Sequence, residues 1–414
     1  MMRISTSWMY QQSVTTMLNQ EGELSNTQNQ VSTGLRISVP SDDPTGAAQV
    51  VSLNHVLAEN TGYTNNITAA NTRLSTETSA LSSVTNLLNS ANDIGLSAIN
   101  SSLSSSDLSN MATQLTQLRD QLVQLANTTD GNGSPLFAGT STTATPFVQS
   151  SSGSVTYAGN NQQSLTAIGQ GLQVANSDPG SSVFMDIPAG NGSFVASAGS
   201  GNTGTLVVGA NSVTDTTAWT AANASGPVND TITFGANGTY AVTDANGNPV
   251  NDANGNPITG TYQDGGSITF DGLSVTMSGS PAAGDTVSVN ADTAQNTQNV
   301  FTTLNNMITA LQSGNANSTS LNNTLNRQLE SLNQAMTSVS NTQVSVGSRI
   351  DTLQQQQSSY SDLSVTYQSA LSDVQNVDMA TAISNLSLQS TALQASQQVF
   401  AKVQGLSLFN YIQS

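Results

Sequence analysis

The C-terminal third of the chain carries an uninterrupted seven-residue repeat of apolar side chains. The eight members of this repeat are Leu325, Leu332, Val339, Val346, Leu353, Tyr360, Tyr367 and Val374. A spacing of seven keeps one side of a long α-helix apolar when the helix supercoils about a partner. A helix of about fifty residues is roughly 75 Å long and cannot bury such a stripe against itself. The repeat therefore predicts a long helix that needs partner helices, which is more typical of a building block than of an enzyme.

The N-terminal part supplies candidate partner helices. A first helix is predicted over about residues 1–40, from an apolar series with three- and four-residue steps. This series is Tyr10, Val14, Met17, Leu24, Val31 and Leu35, with interruptions at Glu21 and Gln28. Because Pro40 and Pro44 forbid a continuous helix, we expect a break there, with Asp43 capping a second helix that runs from Pro44 to about residue 100. A third helix is predicted to begin at a cap on Asp107.

The middle of the chain has a two-residue period that is typical of β-strands. From about Pro135 to Asp292, alternating apolar residues are punctuated by Gly, Asn and Asp. Asp271-Gly272 lies between two alternating runs, which is a strong hairpin signal. A second hairpin is predicted to pair residues 232–234 with 240–242. Helical spacing returns at about residue 293.

These patterns predict an α+β fold in which both termini form a long antiparallel coiled-coil or helical-bundle rod and a β-rich central domain is inserted between them. The apolar stripes of the two ends require each other, since neither is covered alone. The predicted domains are a terminal coiled-coil assembly segment (1–40 and 378–414), a helical rod domain (41–135 and 293–377), a small β part of that rod domain (136–189) and an outward β domain (190–292).

Charge narrows the classes of function. Only 8% of residues are charged, the net charge is −18, and no Lys or Arg lies between Asp120 and Asn326. Such a surface disfavours nucleic acid and anionic membrane as partners. The chain has no cysteine, no stretch of eighteen apolar residues, and no apolar segment of a cleaved signal peptide at its start. We therefore expect a protein that is either cytosolic or exported by a route that needs none of these features.

The sequence predicts no enzyme activity, no cofactor and no metal site. The motif Asp-Ala-Asn-Gly-Asn-Pro occurs at 244–249 and again at 252–257, but it lacks the closing Glu of a calcium loop, so tandem turns are the favoured interpretation. His55 is the only histidine, and a solvated or packed side chain is expected there. Asp42 and Asp43 are adjacent and face different directions, so a helix cap explains them better than a catalytic pair.

Several short motifs are similar to those of a known family. Together they resemble the flagellin superfamily of bacterial axial proteins, and more closely its members that join hook to filament than flagellin itself. The motifs lie at residues 2–6 (MRIST), 9–12 (MYQQ), 32–37 (STGLRI), 40–44 (PSDDP), 136–140 (LFAGT), 401–404 (AKVQ) and 406–412 (LSLFNYI). The resemblance covers roughly residues 1–140 and 295–414.

The resemblance implies a structural adaptor between the hook and the filament of the extracellular flagellum. It also implies export through the flagellar type III channel without a cleaved signal, and terminal segments that form a coiled coil on assembly. The implied partners are copies of the chain in a ring, a neighbouring hook-associated protein, flagellin, the cap protein, and a cytosolic export chaperone on the segment from about Met379 to Phe409.

The residues expected to mediate assembly lie on the apolar stripes and at the proline-flanked break. They are Trp8, Tyr10, Met17, Leu24, Val31, Leu35, Arg36, Asp42, Asp43, Leu386, Leu393, Phe400, Leu406, Phe409 and Tyr411. Three alternatives stay open at this point: a flagellin filament subunit, a coiled-coil surface adhesin whose acidic β region binds a ligand, and a hydrolase carried on a filament. The last would need His55 or an aspartate cluster with a shifted pKa in a deep cleft.

Overall fold

Long helices occupy both ends of the chain, and a β-rich region lies between them. The computed structural model describes residues 6–100, 103–142, 145–292, 297–313 and 318–412, with side chains except at 6–7, 100 and 403–412. The helices are α1 (Thr6–Thr33), α2 (Pro44–Asn100), α3 (Ser105–Ala126), α4 (Thr216–Ala222), α5 (Val300–Gln312), α6 (Thr319–Gln375) and α7 (Met379–Ile412). The predicted α+β class is confirmed.

The described residues form two compact units. The first contains residues up to 65 and from 355 onward, and the second contains residues 66–354. Helices α2 and α6 each contribute one part to the first unit and the other part to the second. None of the helices within the described ranges combines the length and the apolar character needed to cross a membrane.

The seven-residue repeat lies along α6 and is buried to different degrees in the two units. In the second unit Leu325, Leu332, Val339, Val346 and Leu353 are at most 1% exposed. In the first unit Tyr360, Tyr367 and Val374 are only half-buried. Tyr360 stacks on Tyr63 of α2 with ring centroids 5.7 Å apart. The apolar side of α6 is therefore fully covered in the second unit and only partly covered in the first.

Two helix starts show how local side chains set the boundaries. Helix α2 begins as predicted, because the Asp43 carboxylate accepts the Gly46 N–H at 2.9 Å. The prediction for α3 is wrong: Ser104, not Asp107, is the N-cap. The Ser104 hydroxyl accepts the Asp107 N–H at 3.2 Å, and the Asp107 carboxylate accepts the Ser104 N–H at 3.0 Å. This reciprocal capping box requires the hydroxyl residue at the cap and the acid three positions later.

The strands form two small hairpins and two larger sheets. They are β1 (Phe147–Gln149), β2 (Val155–Tyr157), β3 (Leu165–Gly169), β4 (Leu172–Ala175), β5 (Phe194–Ala198), β6 (Val207–Val213), β7 (Asn229–Phe234), β8 (Thr239–Thr243), β9 (Thr259–Thr261), β10 (Ser267–Phe270), β11 (Leu273–Ser278) and β12 (Thr286–Ala291). The sheet orders are β1-β2, β3-β4, β10-β11-β6 and β5-β12-β7-β8-β9. Both predicted hairpins are confirmed, since Phe270 pairs with Leu273 and Ile232 pairs with Val242.

The second unit contains two hydrophobic cores. The first lies among α2, α3, α5 and α6 and includes a cluster of aromatic rings from the neighbouring β segment. In this cluster Phe147 contacts Phe184 at 5.4 Å and Phe301 at 5.5 Å between ring centroids. The second core lies between the three-stranded and five-stranded sheets. Strands β5 to β12 thus form a sandwich with its own interior.

The edge strand β6 is covered by polar side chains of α6. Asn323 accepts the Val208 N–H at 2.7 Å, and Asn326 donates to the Val208 carbonyl at 2.8 Å. Arg327 donates to the Gly209 carbonyl at 2.8 Å. An open sheet edge presents unpaired backbone groups that can pair with other chains. These contacts satisfy that edge and attach the sandwich to the helical core.

Candidate assembly surface

The first unit is built on the antiparallel pairing of α1 and α7. Leu35, just after α1, forms an antiparallel backbone bridge with Asn376, just before α7. At the other end of the pair the Tyr10 and Phe400 rings meet edge to face, with centroids 5.9 Å apart. Helices α1 and α7, which come from opposite ends of the sequence, therefore lie side by side.

The buried side of α1 follows a regular heptad with one apolar and one polar position per repeat. The half-buried or buried residues at these two heptad positions are Tyr10, Ser13, Met17, Gln20, Leu24, Thr27 and Val31. The apolar series predicted Val14 on this side, but Val14 is 42% exposed, and Ser13 occupies the seam in its place. In the observed seam a step of three leads from Tyr10 to residue 13 and a step of four leads on to residue 17, which leaves residue 14 outside. Helix α1 also ends before the predicted residue 40, because Gly34 adopts a left-handed conformation with φ of 74°.

The facing side of α7 has the same alternation from Leu386 onward. The half-buried or buried residues at its heptad positions are Ala382, Leu386, Gln389, Leu393, Ser396 and Phe400. The side-chain oxygens of Gln20 and Gln389 are both buried without a hydrogen-bond partner among the described residues. Amide groups at such positions weaken a seam and restrict its register. The pairing of α1 with α7 is therefore weaker than an all-apolar seam of equal length.

Both helices keep apolar side chains outside the seam. Trp8 is 59% exposed and Leu18 is 62% exposed on α1, while Ile383 is 53% and Leu388 is 66% exposed on α7. A cavity of about 350 Å³ lies between α1 and α7, lined by Tyr10, Phe400 and neighbouring residues. The α1–α7 pair thus buries one face in its seam and leaves apolar side chains exposed on its other faces.

The connection between α1 and α2 is joined to the connection between α6 and α7 by backbone hydrogen bonds. Arg36 N–H donates to the Gln375 carbonyl at 2.7 Å, and Val377 N–H donates to the Gly34 carbonyl at 3.0 Å. The Arg36 guanidinium donates to the Val374 carbonyl at 2.7 Å and to the Asp43 carboxylate at 3.2 Å. We call the segments 34–43 and 374–378 the elbow.

Two acidic residues that the sequence singled out stabilise the elbow through the backbone. The Asp42 carboxylate accepts the N–H groups of Ser38 and Val39 at 3.0 and 2.9 Å. Hydrogen bonds from the Gly46 backbone and from the Arg36 guanidinium hold the pKa of Asp43 below its ordinary value. Both aspartates are therefore structural caps in this unit.

A third acid in the elbow, Asp378, caps α7 and was not predicted. Its carboxylate accepts the Ala380 N–H at 3.0 Å and the Thr381 hydroxyl at 2.7 Å. The bond from Thr381 lowers the pKa of Asp378. An Asp followed by a residue series of helical period could have identified this cap from the sequence. The polar seam residues, by contrast, carry no such signal.

The remaining predicted residues lie in different places. Leu386, Leu393 and Phe400 are in the seam together with Tyr10, Met17, Leu24 and Val31. Leu35 and Arg36 lie in the elbow, whereas Trp8 points away from the seam. The side chains of Leu406, Phe409 and Tyr411 lie outside the described part of the structure.

A glycine in the first turn of α2, packed against the elbow, gives a direct test of the elbow's packing. A Cβ atom on Gly46 would lie 2.5 Å from both Ile37 Cδ1 and Asp43 Oδ2, whereas a Cβ atom on Gly62, in the same helix, would meet nothing within 4 Å. We expect Gly46→Ala to destabilise the first unit by about 1–3 kcal/mol, the usual cost of overpacking. Gly62→Ala should stabilise it by about 0.5–1 kcal/mol. Urea unfolding followed by circular dichroism measures both, and equal effects would contradict the described packing.

No arrangement in the described ranges resembles an enzyme site. His55 is exposed, with its ring nitrogen 3.8 Å from Glu59. The Asp244 and Asp252 carboxylates each accept two backbone N–H groups of their own turns, which supports the tandem-turn interpretation. Burial and the neighbouring Asp271 raise the pKa of Asp230 to about 7, but Asp230 is only 5% exposed, so a substrate cannot reach it. Within the described residues no three His, Asp or Glu side chains are grouped as a metal site.

Comparisons with known proteins match the two helical ends. The model of the bacterial flagellin N-terminal helical region matches residues 4–142, and that of the C-terminal helical region matches residues 329–412. Flagellar hook-associated protein 3 of Salmonella typhimurium is 31% identical over 182 residues, which are 42% of this chain and 57% of that protein. The match thus spans little more than half the length of that relative.

Solved structures cover more of the chain. FlgL of Xanthomonas campestris is 32% identical, with a TM-score of 0.67, over 77% of this chain and 99% of that one. The flagellar junction protein FlgL of Legionella pneumophila is 30% identical, with a TM-score of 0.67, over 78% of this chain and 100% of that one. Since these relatives are matched over almost their entire length, together with both flagellin terminal regions, the chain belongs to the flagellar hook-associated protein 3 (FlgL) family of the flagellin superfamily.

Proposed function

We propose that this chain is a non-enzymatic structural component of the bacterial flagellum that joins the hook to the filament. The observation that carries the proposal is the α1–α7 pair, whose seam is half polar and whose outer faces remain apolar. Such a pair is stabilised when helices of other subunits cover those faces, since burial of apolar surface contributes about 25 cal/mol per Å². The relatives named above are hook-associated or junction proteins, which favours this role over that of a filament subunit.

The proposal assigns a role to each part of the chain. Residues 1–40 and 378–414 would form the inner assembly segment, and residues 41–135 and 293–377 the helical domain, with 136–189 as its small β part. Residues 190–292 would form an outward β domain. Because that domain has no basic residue, its negative charge would keep the outer surface soluble and repel neighbouring copies.

The proposed partners follow from the family. The chain would associate with its own copies in a ring and contact a neighbouring hook-associated protein, flagellin and the cap protein. An export chaperone would hold the segment from about Met379 to Phe409, whose exposed apolar residues would otherwise promote aggregation before assembly. The protein would leave the cell by flagellar export and act outside it.

Labelling in cells tests the proposed location. A strain that lacks its own copy would be complemented with the chain carrying an epitope tag in the exposed turn at residues 246–247. Immunogold electron microscopy should then show one short band at the end of the hook. Label along the filament would contradict the proposal. So would long filaments made by this chain in a strain that lacks flagellin, because they would identify a filament subunit instead.

A further inference from the structure

A fully buried carboxyl group lies outside the assembly surface, in the helical core of the second unit. Glu77 of α2 is 0% exposed. Its Oε1 atom accepts the Asp178 N–H at 3.3 Å, and its Oε2 atom has no partner among the described side chains and backbone groups. An unpaired buried charge is strongly destabilising. The site therefore needs a compensating positive charge or a proton on this carboxyl group.

The guanidinium at this site is already engaged. Arg349 of α6 pairs with the Asp178 carboxylate and donates to the Ala175 carbonyl at 3.2 Å. The Asp178 carboxylate also accepts the Gln163 amide at 2.8 Å. Arg73, one turn before Glu77 on α2, is paired with Asp130 at 2.5 Å. The two carboxyl groups thus share one guanidinium, which leaves the group one positive charge short.

A proton supplies the missing charge. Burial, and next the negative charge of Asp178, raise the pKa of Glu77 to about 8, although Arg349 acts in the opposite direction. The Glu77 carboxyl group lies against the Asp178 backbone, and the nearby Asp178 charge favours a proton on Glu77. The result is a chain of hydrogen bonds from α2 through Asp178 to α6.

Asp178 belongs to the segment that carries the β3–β4 hairpin. Two further hydrogen bonds connect this hairpin to the helices. Asn66 of α2 donates to the Ala167 carbonyl at 2.9 Å, and Arg349 donates to the carbonyl of Ala175 at the end of β4. Loss of the bond between Glu77 and Asp178 would therefore remove a main attachment of residues 163–178 to α2.

We propose that Glu77 and Asp178 share one proton and that this proton acts as a latch, holding residues 163–178 and their β3–β4 hairpin onto α2 and α6. When the proton leaves, two buried carboxylates repel each other beside a single guanidinium. The segment then opens more often and exposes Leu165 and Leu172 further. Residues 163–178 are therefore held more firmly against α2 and α6 at acid pH than at alkaline pH.

The pH window follows from the direction of the shift. The folded state holds the proton more tightly than an opened state with an ordinary glutamate, so opening becomes easier as the pH rises from about 4.5 toward about 8. The opening constant should rise by as much as tenfold per pH unit within this window. Above pH 8 it should level off, because both states are then deprotonated.

Hydrogen exchange of the full chain tests the latch. Exchange of the amides of residues 164–178 would be followed by mass spectrometry from pH 5.5 to 9, with rates corrected for intrinsic exchange. The wild type should show the rise and plateau, whereas Glu77→Gln, which keeps a neutral donor, should be flat and well protected at pH 8. Glu59→Gln, the same change at an exposed position of the same helix, should behave like the wild type.

A second measurement detects the protonated carboxyl group directly. Infrared spectra at neutral pH should contain a protonated carboxyl band that is absent in Glu77→Gln and that titrates near pH 8 in the wild type. If Glu77→Gln does not fold, the wild-type band and its loss in Asp178→Asn serve in its place. The latch is refuted if exchange of residues 164–178 has the same pH dependence in Glu77→Gln as in the wild type, or if no such band exists.

Discussion

A chain that ends at Val377 is expected to leave hooks without filaments. The truncation removes α7, so the half-buried side of α1 loses its partner and becomes exposed from Tyr10 to Val31. It also weakens the Val377–Gly34 hydrogen bond, because this bond then lies at a free chain end. Without a paired helix α1 is a solitary amphipathic segment, and such segments are only marginally helical in water. The assembly surface should be lost completely, whereas the second unit, residues 66–354, should fold unchanged.

Binding of purified chains to isolated hooks separates assembly from export. The truncated chain should not bind, and its circular dichroism should still show cooperative unfolding of the second unit. A control removes a different and larger part of the chain: residues 189–296 are replaced by a short Asn-Gly turn. This join is geometrically reasonable because Ile187 and Gln298 exchange backbone hydrogen bonds at 3.0 and 2.9 Å. The control should bind hooks, and hook binding by the truncated chain would contradict the proposed assembly surface.

Replacement of Phe301 by alanine should destabilise the second unit by about 3–5 kcal/mol, the usual cost of removing a buried aromatic ring. Phe301 is 0% exposed at the start of α5, and its ring packs against Phe147 at 5.5 Å and Phe184 at 6.2 Å between centroids. Phe147 is on β1 and Phe184 lies in a short helical turn at residues 181–185, so a cavity at Phe301 should loosen both segments from the helices. The loss exceeds simple transfer of a ring to water, because the surrounding helices cannot close the space.

Urea unfolding followed by far-ultraviolet circular dichroism measures this loss as a lower midpoint with an unchanged slope. Val344→Ala is the control, since Val344 lies on α6 at 71% exposure. A surface change of this kind should alter stability by less than about 0.5 kcal/mol. An equal effect of the two substitutions would show that the aromatic cluster is not a core of the unit.

Features set by neighbouring residues could be predicted from the sequence. The Asp271-Gly272 hairpin was found because both residues adopt positive φ, 50° and 76°, a conformation that this pair tolerates. The start of α2 at Pro44 was found because proline and an aspartate cap act within one turn. The α+β class and the family membership were confirmed for a related reason, as apolar periods and short motifs are local properties of the chain.

Features set by distant residues could not be predicted. Val14 was placed in the α1 seam by its apolar side chain, but the partner helix selects Ser13, Gln20 and Thr27. The group of Glu77, Asp178 and Arg349 gave no signal either, since its members are separated by 101 and 171 positions. The domain boundaries and the assembly roles of individual residues stay predictions.

The sequence by itself determined that the chain has long helices at both ends, a β-rich middle and a family relationship to flagellar junction proteins. These features depend on residues only a few positions apart, which set the helix and strand periods and the short motifs. Only the tertiary structure decided which face of α1 meets α7, how the elbow fastens the two ends, and which acids are buried. Those outcomes depend on side chains that meet across hundreds of residues, where the free energy of packing and of burying charge, not local preference, selects the arrangement.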